Sequence, residues 1–219
     1  MILAKTGILS LGTRADATTW EKGCSALGFD VPLPIKRPSP TMEELKRFFA
    51  GSFDWIFLAG HFSGDRLYNE SAQVGVRFNA DAVTLEHGKD SVILRRASSD
   101  LRLQPQLIVW GGCSTLGSSS LVRDLQGLFG SHTALGFRGI TGWRIVNALL
   151  GGEFMKDKKH FFTRVVAASS SAELTAAWME TARLGYAGGD LEDRFAAVDT
   201  SGQRWVLRDK KVVRDSKLF

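Results

Sequence analysis

The sequence is short of cysteine, and that scarcity bounds several readings. Two cysteines, Cys24 and Cys113, stand in 219 residues, too few for a disulfide framework, so a reducing compartment, the cytoplasm, is expected. There is no Cys-x-x-Cys, no His-x-x-x-His and no cluster of carboxylates at ligand spacing among the two cysteines and four histidines. A metal site is therefore not expected, and no motif calls for a cofactor. The Gly/Ser stretch after Cys113 lacks the Gly-Lys-Ser/Thr of a phosphate-cradling loop. No apolar run approaches the ~18 residues that span a bilayer. The N-terminus has no basic lead before its apolar residues and reads as a first strand, not a signal peptide. Repeats, long linkers and low-complexity tracts are absent.

Apolar residues make up 44% and charged residues 23%, ordinary for a chain that buries a core. The length suits one α/β domain, taken as residues 1–219, with 190–219 as a C-terminal hairpin or tail. Net charge is +5, with the excess at the end. There Arg204, Arg208, Lys210, Lys211, Arg214 and Lys217 face only Asp209 and Asp215. A solvated edge hairpin guarded by basic residues is expected there in preference to a nucleic-acid surface.

Two stretches dominate. Leu107, Ile108, Val109 and Trp110 lead into Gly111-Gly112-Cys113-Ser114-Thr115. Four large apolar residues in a row suit a strand buried on both faces, and a Gly pair lets the backbone turn tightly or approach a ligand. Residues 53–59 form a second apolar run ending in Gly60-His61. If both are parallel and adjacent, about 4.8 Å apart, His61 and Cys113 share the C-terminal edge of the sheet, where ligands bind in open α/β folds. Cys113 is then a candidate nucleophile and His61 its base. Small neighbours leave the thiol room and backbone N–H donors for an oxyanion. The other histidines, His87, His132 and His160, read as structural or solvent-facing. Cys24 reads as a buried small hydrophobe.

Along the chain, 2–11 reads as a strand, then a helix through Trp20, Cys24 and Leu27, capped by Asp16 or Thr18 and ended by Gly28. Residues 31–40 hold four of the five prolines and form an extended connector. Thr41 and Glu44 make a capping box for a helix through Leu45, Phe48 and Phe49. Short antiparallel strands are expected at 74–78, 82–85 and 91–94, with a short helix near Leu101–103. A serine-capped helix spans 121–129 and a strand 133–140. Helices follow at 145–154, 159–168 and 171–184, then a hairpin of 195–198 with 203–207.

These motifs resemble a caspase-like cysteine peptidase, closest in form to the CHAT group related to caspases and separases. The likeness rests on the strand ending Ala59-Gly60-His61, the strand ending Gly112-Cys113-Ser114-Thr115, and the order of the strand through Gly136 and the helices after it. His61 stands 52 positions before Cys113, as in the caspase pattern. The likeness covers most of residues 40–187. It implies a caspase-like three-layer α/β/α sandwich with a mostly parallel central sheet plus small β-hairpins, and peptide-bond hydrolysis by a Cys113–His61 dyad. It also implies an oxyanion hole from backbone N–H groups at Gly112 and Cys113 with one from the loop after His61. Relatives have Gly directly after the His; here Phe62 stands there and Gly64 comes three positions after His61. Arg138, near where relatives line their specificity pocket, could bind an acidic side chain or form a surface salt bridge. The expected partners are a protein substrate and an activating protein, with no membrane. Two alternatives stay open. One is an inactive caspase-like scaffold that binds a protein. The other is an amidotransferase or hydrolase elbow, disfavoured because position 115 is Thr and no His-x-Glu follows.

Overall fold

The structure is a computed structural model that describes residues 4–12, 14–96, 98, 100–151 and 160–217. It is mixed α/β, with a mostly parallel central sheet and a second, antiparallel sheet.

Alternation along the central strands sets the architecture. In β3 (Trp55–Ala59) and β9 (Leu107–Gly111), Trp55, Phe57, Leu107 and Val109 enter one core, while Ile56, Leu58, Ile108 and Trp110 enter the other. β1 (Thr6–Ser10) and β10 (Thr133–Phe137) divide in the same way. Such strands are continuous apolar runs because both faces are covered. On one face lie α1 (Arg14–Ala26), α4 (Trp143–Leu150), α5 (Phe161–Arg164) and α6 (Ser171–Tyr186). On the other lie α2 (Met42–Phe49), α3 (Ser119–Phe129) and the second sheet.

The capping box is as expected. Glu44 N–H donates to Thr41 Oγ1 at 3.3 Å, and Thr41 N–H donates to Glu44 Oε2 at 2.7 Å. These bonds, with Arg37 beside the carboxylate, hold the Glu44 carboxyl down at about 2. Ser118 caps α3 through Leu121 N–H. Cys24 is fully buried, and burial pushes its thiol far above the ordinary range.

Several expectations change. α1 begins at Arg14, so Asp16 lies inside its first turn instead of capping it. The proline-rich connector contributes a two-residue edge strand, β2 (Ile35–Lys36), parallel to β1. Residues 101–103 belong to no helix or strand. Leu101 and Leu103 are buried in the core, and Arg102 N–H donates to Phe49 O. The hairpins between the His and Cys strands are one five-stranded sheet. It comprises β4 (His61–Ser63), β5 (Arg66–Asn69), β6 (Val74–Phe78), β7 (Ala82–His87) and β8 (Asp90–Arg95). The helices expected at 145–154 and 159–168 are shorter, and the part on 152–159 lies outside the described residues.

The expected hairpin of 195–198 with 203–207 is present, and it continues the central sheet. β11 (Phe195–Val198) pairs antiparallel with β10, followed by β12 (Gln203–Arg208) and β13 (Lys211–Lys217). The central order is β13-β12-β11-β10-β9-β3-β1-β2. Its basic residues are partly engaged: Arg204 and Arg208 face Asp215, and Arg214 lies over the Trp205 ring at 5.1 Å.

His132 is fully buried, as a structural reading requires, and burial pulls its pKa down to about 4. Its Nδ1 lies 2.8 Å from Gly130 O, while Nε2 has no hydrogen-bond partner among the described residues. The folded value lies below the unfolded 6.5, so the unfolded chain binds the proton first. The contribution is complete above pH 6.5 and is lost as pH falls toward 4, amounting to about 3 kcal/mol. Urea unfolding at pH 7 and pH 4.5 is expected to show this loss in wild type and a flatter profile in His132→Leu. Equal slopes for the two proteins would place the acid sensitivity elsewhere.

Candidate functional site

β3 and β9 are parallel neighbours with Ala59 opposite Gly111. His61 and Cys113 each follow two residues later, so both leave the same edge of the sheet. Gly60 makes the transition from the central sheet into β4 at φ 153°, where a Cβ would lie 3.0 Å from Leu67 Cδ1. Gly112 is the point of closest approach: a Cβ there would lie 2.8 Å from Phe62 Cβ and 3.1 Å from Gly60 O. A side chain at 112 would push the histidine and cysteine turns apart, so the Gly is required by backbone-to-backbone packing.

His61 is the first residue of β4, whose pattern is exposed, buried, exposed. The imidazole therefore stands on the outer face of the second sheet, opposite Tyr68, with ring centroids 5.9 Å apart. Phe62 points the other way. Its ring is packed against Trp110 at 5.7 Å and Phe78 at 6.3 Å. Phe62 thus anchors β4 to the core beneath the sheet. Gly64 sits at the turn joining β4 to β5, at φ 59°, beyond the Ser63–Arg66 pair. At ~3.3 Å per residue it lies roughly 10 Å of chain beyond His61.

Cys113 is partly exposed, not turned into the core. Its two hydrogen bonds go to Thr141: Sγ–H donates to the carbonyl at 3.1 Å, and Thr141 N–H donates to Sγ at 3.3 Å. The next residue, Ser114, has φ 58°, an uncommon conformation for a residue with a Cβ and one that clusters at functional sites. Its N–H donates to Gly139 O at 2.9 Å, and Leu116 N–H donates to Phe137 O at 2.8 Å. The cysteine turn is therefore strapped to the end of β10 and to the segment after it. Gly112 and Cys113 are adjacent members of this turn, and Thr115 beneath them is buried.

Arg138 lies beside a cavity of about 610 Å³ lined also by Gly117, Ile140, Asp190, Arg194 and Arg204. Its guanidinium is committed within the chain: Nε donates to Asp193 O, and Nη1 is 3.9 Å from Asp215 Oδ2. Ile140 on the rim is 71% exposed. Thr141, Arg204 and Asp215 carry no local sequence signal. Thr141 follows the expected strand, and the two charged residues belong to the tail read as solvated.

Among the described residues no group of three or more His, Cys, Asp or Glu could hold a metal ion, and no helix is long and apolar enough to cross a membrane. No family model, no curated protein and no solved structure matches the chain.

Proposed function

We propose that the chain is a cysteine endopeptidase of caspase-like architecture, cleaving a partner protein in the cytoplasm with His61 and Cys113. The observation that carries this reading is the β3–β9 register, which delivers a histidine and a partly exposed cysteine to one sheet edge. In the reaction, His61 accepts the thiol proton and Cys113 Sγ adds to the scissile carbonyl carbon, moving the C=O π pair onto oxygen. Backbone N–H groups of the Gly112–Cys113 turn stabilise that oxyanion. Collapse breaks the C–N bond, and the amine leaves with the proton from His61. Water then attacks the thioester while His61 takes its proton. The C–S bond breaks, the acid departs and the thiol is restored.

The resting thiol donates to Thr141 O, so attack requires its rotation toward the histidine. Binding of substrate or of an activating protein would supply that shift, since a ligand favours the state it binds more tightly. The same observation, with Phe62 in place of Gly, favours a second reading, a non-catalytic scaffold that binds a protein.

A peptide bearing a thiol-reactive electrophile separates the two. Wild type is expected to be labelled at Cys113, and Cys113→Ala to lose labelling completely, with Cys24 reacting only after denaturation because it is buried. A wild-type chain that stays unlabelled with and without candidate partners would leave the scaffold.

A further inference from the structure

We infer that Arg204, anchored by Asp215, is a positioning residue for the Cys113 turn; this rests on the peptidase reading above. The two residues meet at an irregularity in the last strand pair. Gln203 pairs with Lys217 and Trp205 with Arg214, so Arg204 faces two residues of β13, Asp215 and Ser216. Bulges of this kind re-aim side chains and are frequent beside active sites. Here the result is an arginine side chain only 12% exposed, its guanidinium set between a carboxylate and backbone carbonyls. Nε and Nη2 meet Asp215 Oδ2 at 2.9 and 2.7 Å. Nη1 donates to Leu116 O at 3.2 Å and Gly117 O at 3.3 Å.

Those carbonyls belong to the short segment that runs from the cysteine to the Ser118 cap of α3. Gly117 N–H in turn donates to Ser114 O at 3.0 Å. A displacement of Leu116 and Gly117 is thereby transmitted to Ser114 and to the Gly112–Cys113 turn. The planar fork of arginine is suited to hold a carboxylate and two carbonyls together, and its bonds are charge-assisted on both sides. Asp215 also faces Arg138 and Arg208, at 3.9 and 3.5 Å. Among the described residues Arg208 meets Asp215 and makes no bond to the cysteine segment, which makes it the control.

The test uses the full chain as wild type, Arg204→Met, Asp215→Asn, the double variant and Arg208→Met. Three readouts are followed: labelling of Cys113 by the peptide electrophile, alkylation by iodoacetamide, and amide hydrogen exchange at residues 114–117. Arg204→Met and Asp215→Asn are each expected to slow peptide-electrophile labelling by about tenfold or more, as misplacement near a reacting group costs up to about 10²-fold. The double variant should lose no more than the larger single loss, because both act through one clamp. Iodoacetamide alkylation, which needs no aligned carbonyl, should stay within about twofold, a split that general unfolding would not produce. Exchange at 114–117 should quicken in Arg204→Met and not in Arg208→Met.

Wild-type labelling that persists unchanged in Arg204→Met overturns the inference and leaves the peptidase reading standing. An equal loss in Arg208→Met also overturns it, because the arginine cluster then supports the fold in general. A wild-type chain with an unreactive Cys113 removes the peptidase reading and, with it, the catalytic part of the inference. Unchanged exchange at 114–117 in Arg204→Met overturns the clamp in every case.

Discussion

Replacing His61 by alanine is expected to lower turnover of any peptide the wild type cleaves by about 10² to 10⁴-fold, the range general acid–base catalysis contributes. The thermal stability should hardly move, because His61 is exposed on the outer face of β4. The argument is positional. β3 is buried along its whole length, and Gly60 turns the chain directly into a strand whose inward residue, Phe62, is locked against Trp110 and Phe78. The alternation of a strand then leaves His61 no choice of side. Its proton-transfer role should appear in the steps that need it, so Cys113 acylation and thioester hydrolysis should both slow in His61→Ala. Steady-state turnover together with single-turnover labelling measures this. A variant that cleaves at the wild-type rate would remove His61 from the mechanism and leave Cys113 to be explained with another base.

The largest expected loss of stability follows Trp20→Ala. Trp20 is fully buried in α1, with ring centroids 5.4 Å from Phe57, 6.1 Å from Trp55, 5.2 Å from Phe162 and 6.2 Å from Phe161. Its Nε1–H donates to Thr6 Oγ1 at 2.9 Å. One side chain thus joins α1 to β1, β3 and α5. Truncating it removes the transfer energy of an aromatic ring and leaves a cavity, together about 3–5 kcal/mol. Against a typical total of about 5–15 kcal/mol, that is a large fraction. Urea unfolding should show the midpoint falling with little change in slope, and Trp20→Phe should lose less. A loss below about 1 kcal/mol would mean that α5 closes over the gap.

Much of this architecture was legible in the amino-acid sequence, for local reasons. The Thr41–Glu44 capping box, the Ser118 cap and the apolar runs of β3 and β9 are written in adjacent residues, and each appears where the pattern placed it. The run lengths also implied strands covered on both faces, hence a parallel sheet. The pairing of β3 with β9 is less local, but two apolar strands ending in Gly before a His and a Cys made it a natural expectation.

Other features depend on partners far apart in the chain. β4 and β5 are three and four residues long, too short for alternation to register, and they become strands only because β6 and the core under Phe62 and Leu67 receive them. Residues 101–103 read as a short helix before Pro105, yet Leu101 and Leu103 are drawn into the core outside any helix or strand. The charged tail shows the limit best. Sequence determined that the end of the chain is basic. Only the tertiary structure decided that β11 to β13 complete the central sheet and that a bulge turns Arg204 inward onto Asp215 and the carbonyls of Leu116 and Gly117. Charge is a property of residues, whereas the direction of a side chain is set by strand register. Register is settled by contacts between strands nearly ninety positions apart from the segment they come to hold.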